Sequence, residues 1–146
     1  MKLERDAIER LLATWPVARL ATLAPDGRPE LVPVVFAESA GALWSPVDGK
    51  PKRGGELSRV RNIRADGRVC LLLDHYGDDW TTLWWLRVEG RADVVAAGEA
   101  EARAAADALR AKYPQYASRA VALFSGAPRL IRISVERRFG WRAGAI

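Results

Sequence analysis

Apolar residues recur along this chain in two rhythms, and the rhythms divide it into helices and strands. Leu3, Ala7, Ile8, Leu11, Leu12 and Trp15 fall at helical spacing, with Glu4, Arg5, Glu9 and Arg10 largely between them. This predicts a short amphipathic helix ended by Pro16. Strand patterns follow. Residues 17–23 lead through Pro25-Asp26-Gly27 into residues 31–37, and Asp-Gly between two apolar runs is a hairpin signal. Residues 42–47 read as a third strand, ended by Asp48-Gly49. Residues 68–74 form a fourth, so uniformly apolar that burial on both faces is expected. Residues 81–96 are long and β-rich, with Gly90 as a bend or bulge. Residues 129–141 close the chain, mixing Leu130, Ile131, Ile133 and Val135 with Arg132, Ser134 and Glu136.

Two helical patterns interrupt the strands. Residues 56–65 place Leu57, Val60 and Ile63 on one side and Arg59 with Asn62 on another. Residues 99–112 are alanine-rich and are closed by Tyr113-Pro114. Six strands with few helices give a mainly β chain with peripheral helices. An antiparallel barrel removes exposed strand edges, although periodicity alone does not separate a barrel from a sandwich. No repeat or linker divides the 146 residues, so one domain is expected.

Charge and composition narrow the chemistry. The formal charge of +5 favours anionic partners without choosing among them. The single cysteine, Cys70, excludes an intramolecular disulfide and reads as a small buried strand residue. The charged N-terminal stretch lacks the apolar core of a signal peptide, and no run reaches membrane-spanning length, so a cytoplasmic protein with no membrane partner is expected. One histidine and one cysteine do not make a multi-ligand metal site. Neither a G-x-S-x-G elbow nor a Walker loop occurs. Asp78-Asp79 beside Gly77 reads as a solvated turn rather than a catalytic dyad.

Two segments stand out. Lys50, Lys52 and Arg53 concentrate positive charge on a glycine-flanked turn between a strand and a helix, and Arg59, Arg61 and Arg64 carry it onto that helix. Glycines let backbone amides approach a ligand, and Lys and Arg suit phosphate. A phosphate site and a solvated basic turn both fit. The second segment is aromatic: Asp74-His75-Tyr76, then Trp80, then Trp84-Trp85. Adjacent Trp84 and Trp85 must point to opposite faces of a strand, so one can be core while the other meets a ligand or partner. His75 is a residue that can donate a proton near neutral pH.

Together these residues carry a resemblance. Arg19-Leu20-Ala21-Thr22-Leu23, Asp26-Gly27-Arg28-Pro29 and Leu31-Val32-Pro33-Val34 resemble the opening of the pyridoxamine 5′-phosphate oxidase-like split-barrel superfamily. Val47-Asp48-Gly49-Lys50-Pro51-Lys52, Arg61-Asn62-Ile63, Leu73-Asp74-His75-Tyr76, Asp79-Trp80 and Leu83-Trp84-Trp85 are similar to its branch of small F420-dependent oxidoreductases. The resemblance implies a six-stranded antiparallel split β-barrel of the FMN-binding type. It also implies a homodimer with a cofactor groove at the interface.

Carried onto this chain, the resemblance puts the cofactor phosphate at Lys50, Lys52 and Arg59, with Arg61 a further candidate. It puts Pro33, Val34, Ser45, Pro46 and Val47 along the ring or its ribityl chain, and Asp74, His75, Tyr76, Trp80 and Trp85 near the ring or the opposing subunit. The implied cofactor is the deazaflavin coenzyme F420, with FMN as the alternative. The implied activity is hydride transfer to a small planar electron-poor substrate, with His75 or Tyr76 as candidate proton donors. A non-catalytic flavin-, F420- or haem-binding protein is the competing reading. A nucleic-acid binder fits least, because the cations gather at one turn and no base-stacking motif accompanies them. The chain departs from true pyridoxamine phosphate oxidases in lacking their C-terminal arginine motifs, which argues against that substrate. Gly54-Gly55-Glu56 also adds length between the basic turn and Arg59.

Overall fold

A computed structural model describes residues 1–47, 57–117, 123 and 128–146. Lys50 and Lys52, the centre of the predicted basic turn, lie outside the described residues. The hairpin expected at Pro25-Asp26-Gly27 joins β1 (Ala18–Leu23) to β2 (Pro29–Val34). Gly27 takes φ +84°, and Asp26 Oδ1 accepts the Arg28 amide at 3.0 Å. The chain continues through β3 (Ala37–Ser39), β4 (Ala42–Pro46), β5 (Arg68–His75), β6 (Trp84–Ala96) and β7 (Arg129–Arg142). Helices α1 (Arg5–Thr14), α2 (Ser58–Ala65) and α3 (Ala100–Lys112) stand where the apolar periodicity places them.

Among the described residues seven strands are seen where six are expected, because the apolar run of residues 31–37 is broken. Phe36 leaves the ladder: its amide donates to the Tyr113 hydroxyl at 3.1 Å, and the same hydroxyl lies 3.0 Å from its carbonyl. The chain therefore ends β2 at Val34 and starts β3 at Ala37. The strand order is β2-β1-β5-β6-β7-β4-β3, antiparallel at every step. Here β2 and β3 are the two ends of the order, yet three residue steps join them, a reach of at most about 11 Å. Laid flat, seven strands would hold those edges roughly 29 Å apart. The sheet must curl until its edges meet without pairing, which is a barrel with a seam.

Gly90 is the expected bulge. The β6–β7 register shifts between Glu89 and Gly90, and a Cβ at Gly90 would lie 2.3 Å from the Ser134 carbonyl oxygen. Inside the curl, Leu20, Leu71, Leu73, Leu86, Val88, Ile131 and Ile133 form the main core, closed by Leu11 and Leu12 of α1 and by Val60 and Ile63 of α2. A second core lies outside it. There α3 lays Ala102, Ala105, Ala106 and Leu109 over Trp44, Val95 and Leu130.

The expectation that residues 68–74 are buried on both faces is corrected. Leu71 and Leu73 are fully buried, but Leu72 is 37% exposed and Cys70 is half-buried. These two point to the outer face of the sheet, which no described element covers at that place. Asn62 is corrected in the other direction. Grouped with Arg59 on a polar side of the helix, it is in fact buried, because its amide finds two partners below α2.

Candidate functional site

The seam opens into a cleft of about 270 Å³. The end of β2 supplies Pro33 and Val34, and the following Val35 continues that wall. The end of β4 supplies Ser45 and Pro46, α2 supplies Arg59, and Val17 and Tyr116 complete the lining. Five residues named from the sequence (Pro33, Val34, Ser45, Pro46 and Arg59) thus meet in one place. Both prolines are at strand positions where a missing N–H costs little, since β2 is an edge and Pro46 ends β4. Ser45 is buried and donates its hydroxyl to the Val35 carbonyl at 2.8 Å, which ties β4 to the connector behind β2. Val47 is buried beside the cleft, its amide donating to the Arg129 carbonyl at 3.1 Å.

Buried polar contacts aim α2. Asn62 Nδ2 donates to Thr22 Oγ1 at 3.0 Å and to Glu30 Oε2 at 3.2 Å, which fastens the helix to β1 and β2. Arg59, one turn earlier, is then held on the cleft wall with its side chain half-buried. Arg61 faces solvent instead, donating to Ser58 Oγ at 3.2 Å. Arg59 also lines a second, smaller cleft of about 140 Å³ with Thr22, Glu30, Val32, Leu57 and Ser58.

The aromatic segment lies elsewhere. Asp74 and Trp85 are register partners on the outer face, and Asp74 Oδ1 is 3.5 Å from Arg19 Nη1. Arg19 is itself the partner of Pro33, so the outer face runs from the cleft across β1 to Asp74 and Trp85. Trp85 meets Phe139 edge-on at 5.8 Å, and the Arg87 guanidinium lies 4.3 Å from the Phe139 ring centre. Trp84 points inward as alternation requires and packs on Trp15 at 4.6 Å. His75 sits at the end of β5, edge-on to Trp15, with Nε2 3.3 Å from Thr82 Oγ1. Tyr76 and Trp80 are 73% and 69% exposed on the loop that follows. None of His75, Tyr76, Trp80 and Trp85 lines the seam cleft. Asp79 caps that loop through Thr81, as a solvated turn residue does.

Sequence reasoning missed Val17, Val35 and Tyr116 of the cleft wall and the Thr22–Asn62–Glu30 contacts beneath α2. Tyr116 lies in a 3₁₀ turn (Pro114–Ala117) after the helix stop, where no periodicity marks a lining residue. Among the described residues no cluster of metal-ligating side chains occurs, and no helix is long and apolar enough to cross a membrane.

Comparison with known proteins agrees with this fold. No functionally curated protein matches the chain significantly. Among solved structures, an FAD-binding protein from Mesorhizobium loti shares 22% identity at a TM-score of 0.69, over 96% of this chain and 95% of that one. An F420 reductase shares 22% identity at a TM-score of 0.65, over 89% and 94%. HutZ, the haem storage protein of Vibrio cholerae, shares 12% identity at a TM-score of 0.72, over 91% and 90%. At these identities the likeness is one of fold: a split barrel whose members differ in cofactor. The family model described as pyridoxamine 5′-phosphate oxidase matches residues 5–142, nearly the whole sequence, and the chain belongs to that family.

Proposed function

We propose that the protein is an oxidoreductase that binds reduced coenzyme F420 in the seam cleft, with FMN as the alternative occupant. The observation that carries this is the meeting of Arg59 with Pro33, Val34, Ser45 and Pro46 around one cleft. The residues suit a phosphorylated flavin-like ligand. Arg59 offers a forked cation for phosphate, while the prolines and valines offer flat apolar walls for a ring system. Lys50 and Lys52, on the segment leading from β4 to α2, are proposed to add their charges to the same phosphate. When bound, such a coenzyme supplies hydride transfer from its central ring, so the chain itself needs no nucleophile. Its own residues bind, orient and exclude water. His75, at the end of β5, and Tyr76, just after it, stay candidate proton donors.

A cleft of about 270 Å³ falls short of the roughly 300–1,000 Å³ that enclose a whole ligand of this size. The reading therefore includes a homodimer. The outer face that no described element covers, with Leu31, Leu72 and Trp141 exposed on it, would be covered by a second copy, which would also complete the site. A reducing compartment such as the cytoplasm fits the lone, unpaired Cys70.

Titration of the purified protein with F420, FMN and haem, read by quenching of tryptophan fluorescence, tests the reading. Saturable quenching by F420 or FMN is expected, followed by turnover of reduced F420 with quinones or nitro compounds. Quenching by haem alone would sink it in favour of a haem-binding protein.

A further inference from the structure

The two clefts that share Arg59 differ in charge. Among the described residues the larger has no carboxylate in its lining, whereas the smaller has Glu30. Glu30 is on β2 beside Val32, and one of its oxygens already accepts the Asn62 amide at 3.2 Å. A partly buried hydrogen bond from α2 thus holds the Glu30 carboxylate on the wall of the smaller cleft. With the Thr22 and Ser58 hydroxyls, the smaller cleft offers acceptors to a ligand's hydroxyl or amide N–H groups, and Glu30 opposes the pull that Arg59 exerts on an acid there.

We propose that Glu30 is a specificity-determining residue of this site. The phosphate binds at Arg59, and Glu30 turns an acidic extension beyond the phosphate away from the smaller cleft. This rests on the proposed flavin-phosphate reading and adds a charge rule to it. Ligands that carry negative charge past the phosphate, such as the oligoglutamate tail of F420, are held with that tail outside the smaller cleft. Ligands that end in neutral hydroxyl-bearing groups can enter it.

The substitution Glu30→Gln tests this, because glutamine keeps an oxygen for Asn62 and removes only the charge. Riboflavin, FMN and F420 are titrated against the wild-type protein, E30Q and the surface control Glu136→Gln. In E30Q, F420 affinity is expected to rise about three- to tenfold, as relief of one repulsive charge at short range through partly aqueous surroundings allows. FMN should change by no more than about twofold and riboflavin not at all. The control should leave all three unchanged. An equal change for all three ligands, or no change for F420, overturns the proposal. A wild-type protein that holds riboflavin as tightly as FMN and F420 instead overturns the phosphate reading on which it rests.

Discussion

The outer face of β6 and β7 is one continuous surface with two different fates. Toward the far end of β6, Val95 and Leu130 are register partners sealed beneath the alanines of α3. Toward the near end, Trp85 with Trp141 and Arg87 with Phe139 are register partners on the same face, and no described element covers them. The bare half continues across Leu72 and Cys70 of β5 to Leu31 of β2, which is 68% exposed. Alternation on a strand fixes which residues share a face, but whether that face is buried depends on what lies over it. Half of this face is covered by α3, and the other half, which no described element covers, exposes apolar side chains.

The contrast can be broken at its covered end with the largest effect. Leu130→Ala removes a fully buried side chain beneath α3 and should lower unfolding free energy by about 2–5 kcal/mol, independent of protein concentration, in chemical denaturation. Leu72→Glu, on the bare half, should leave a folded chain with a stability loss under about 1 kcal/mol. Sedimentation should nonetheless find it monomeric and the wild type dimeric. A wild-type chain that stays monomeric at high concentration would remove the second copy from the account.

A smaller effect sharpens the comparison at the edge of α3. Lys112 lies 3.6 Å over the Phe36 ring and donates to the Leu12 carbonyl at 3.2 Å, so the helix end is fastened to α1. Burial pushes its pKa down from 10.5 to about 8, against the opposing pull of Glu38. Between these values the unfolded chain holds more protons than the folded one. Stability should therefore rise with pH from about 8 toward 10.5, by no more than about 1 kcal/mol once water at this half-exposed group is allowed for. Denaturation midpoints across that range would show the rise, and Lys112→Met should flatten it.

Much of this was legible in the sequence because it rests on short-range patterns. The hairpin at Gly27, the bulge at Gly90, the opposed Trp84 and Trp85 and all three helices follow from periodicity and turn chemistry. What was not legible depends on distant partners. The break after Val34 is made by Tyr113, 77 residues away in sequence from Phe36. The burial of Asn62 depends on Thr22 and Glu30, and the exposure of Leu72 depends on α3 reaching only half the outer face. For the site, the family resemblance drew Pro33, Val34, Ser45, Pro46 and Arg59 to one cleft. It did not draw Tyr116, which reaches the cleft only because the chain turns there after α3.

The central claim is that Arg59 in the seam cleft holds a phosphate borne by a flavin-like ligand. Its most direct test compares FMN with riboflavin, which differ only in that phosphate, on the wild-type protein and on Arg59→Ala. The account predicts that the wild type prefers FMN and that the substitution costs FMN about 10- to 100-fold in affinity while leaving riboflavin almost unchanged, the scale of one charge-assisted hydrogen-bond pair. Equal losses for the two ligands, or no loss for either, would contradict it.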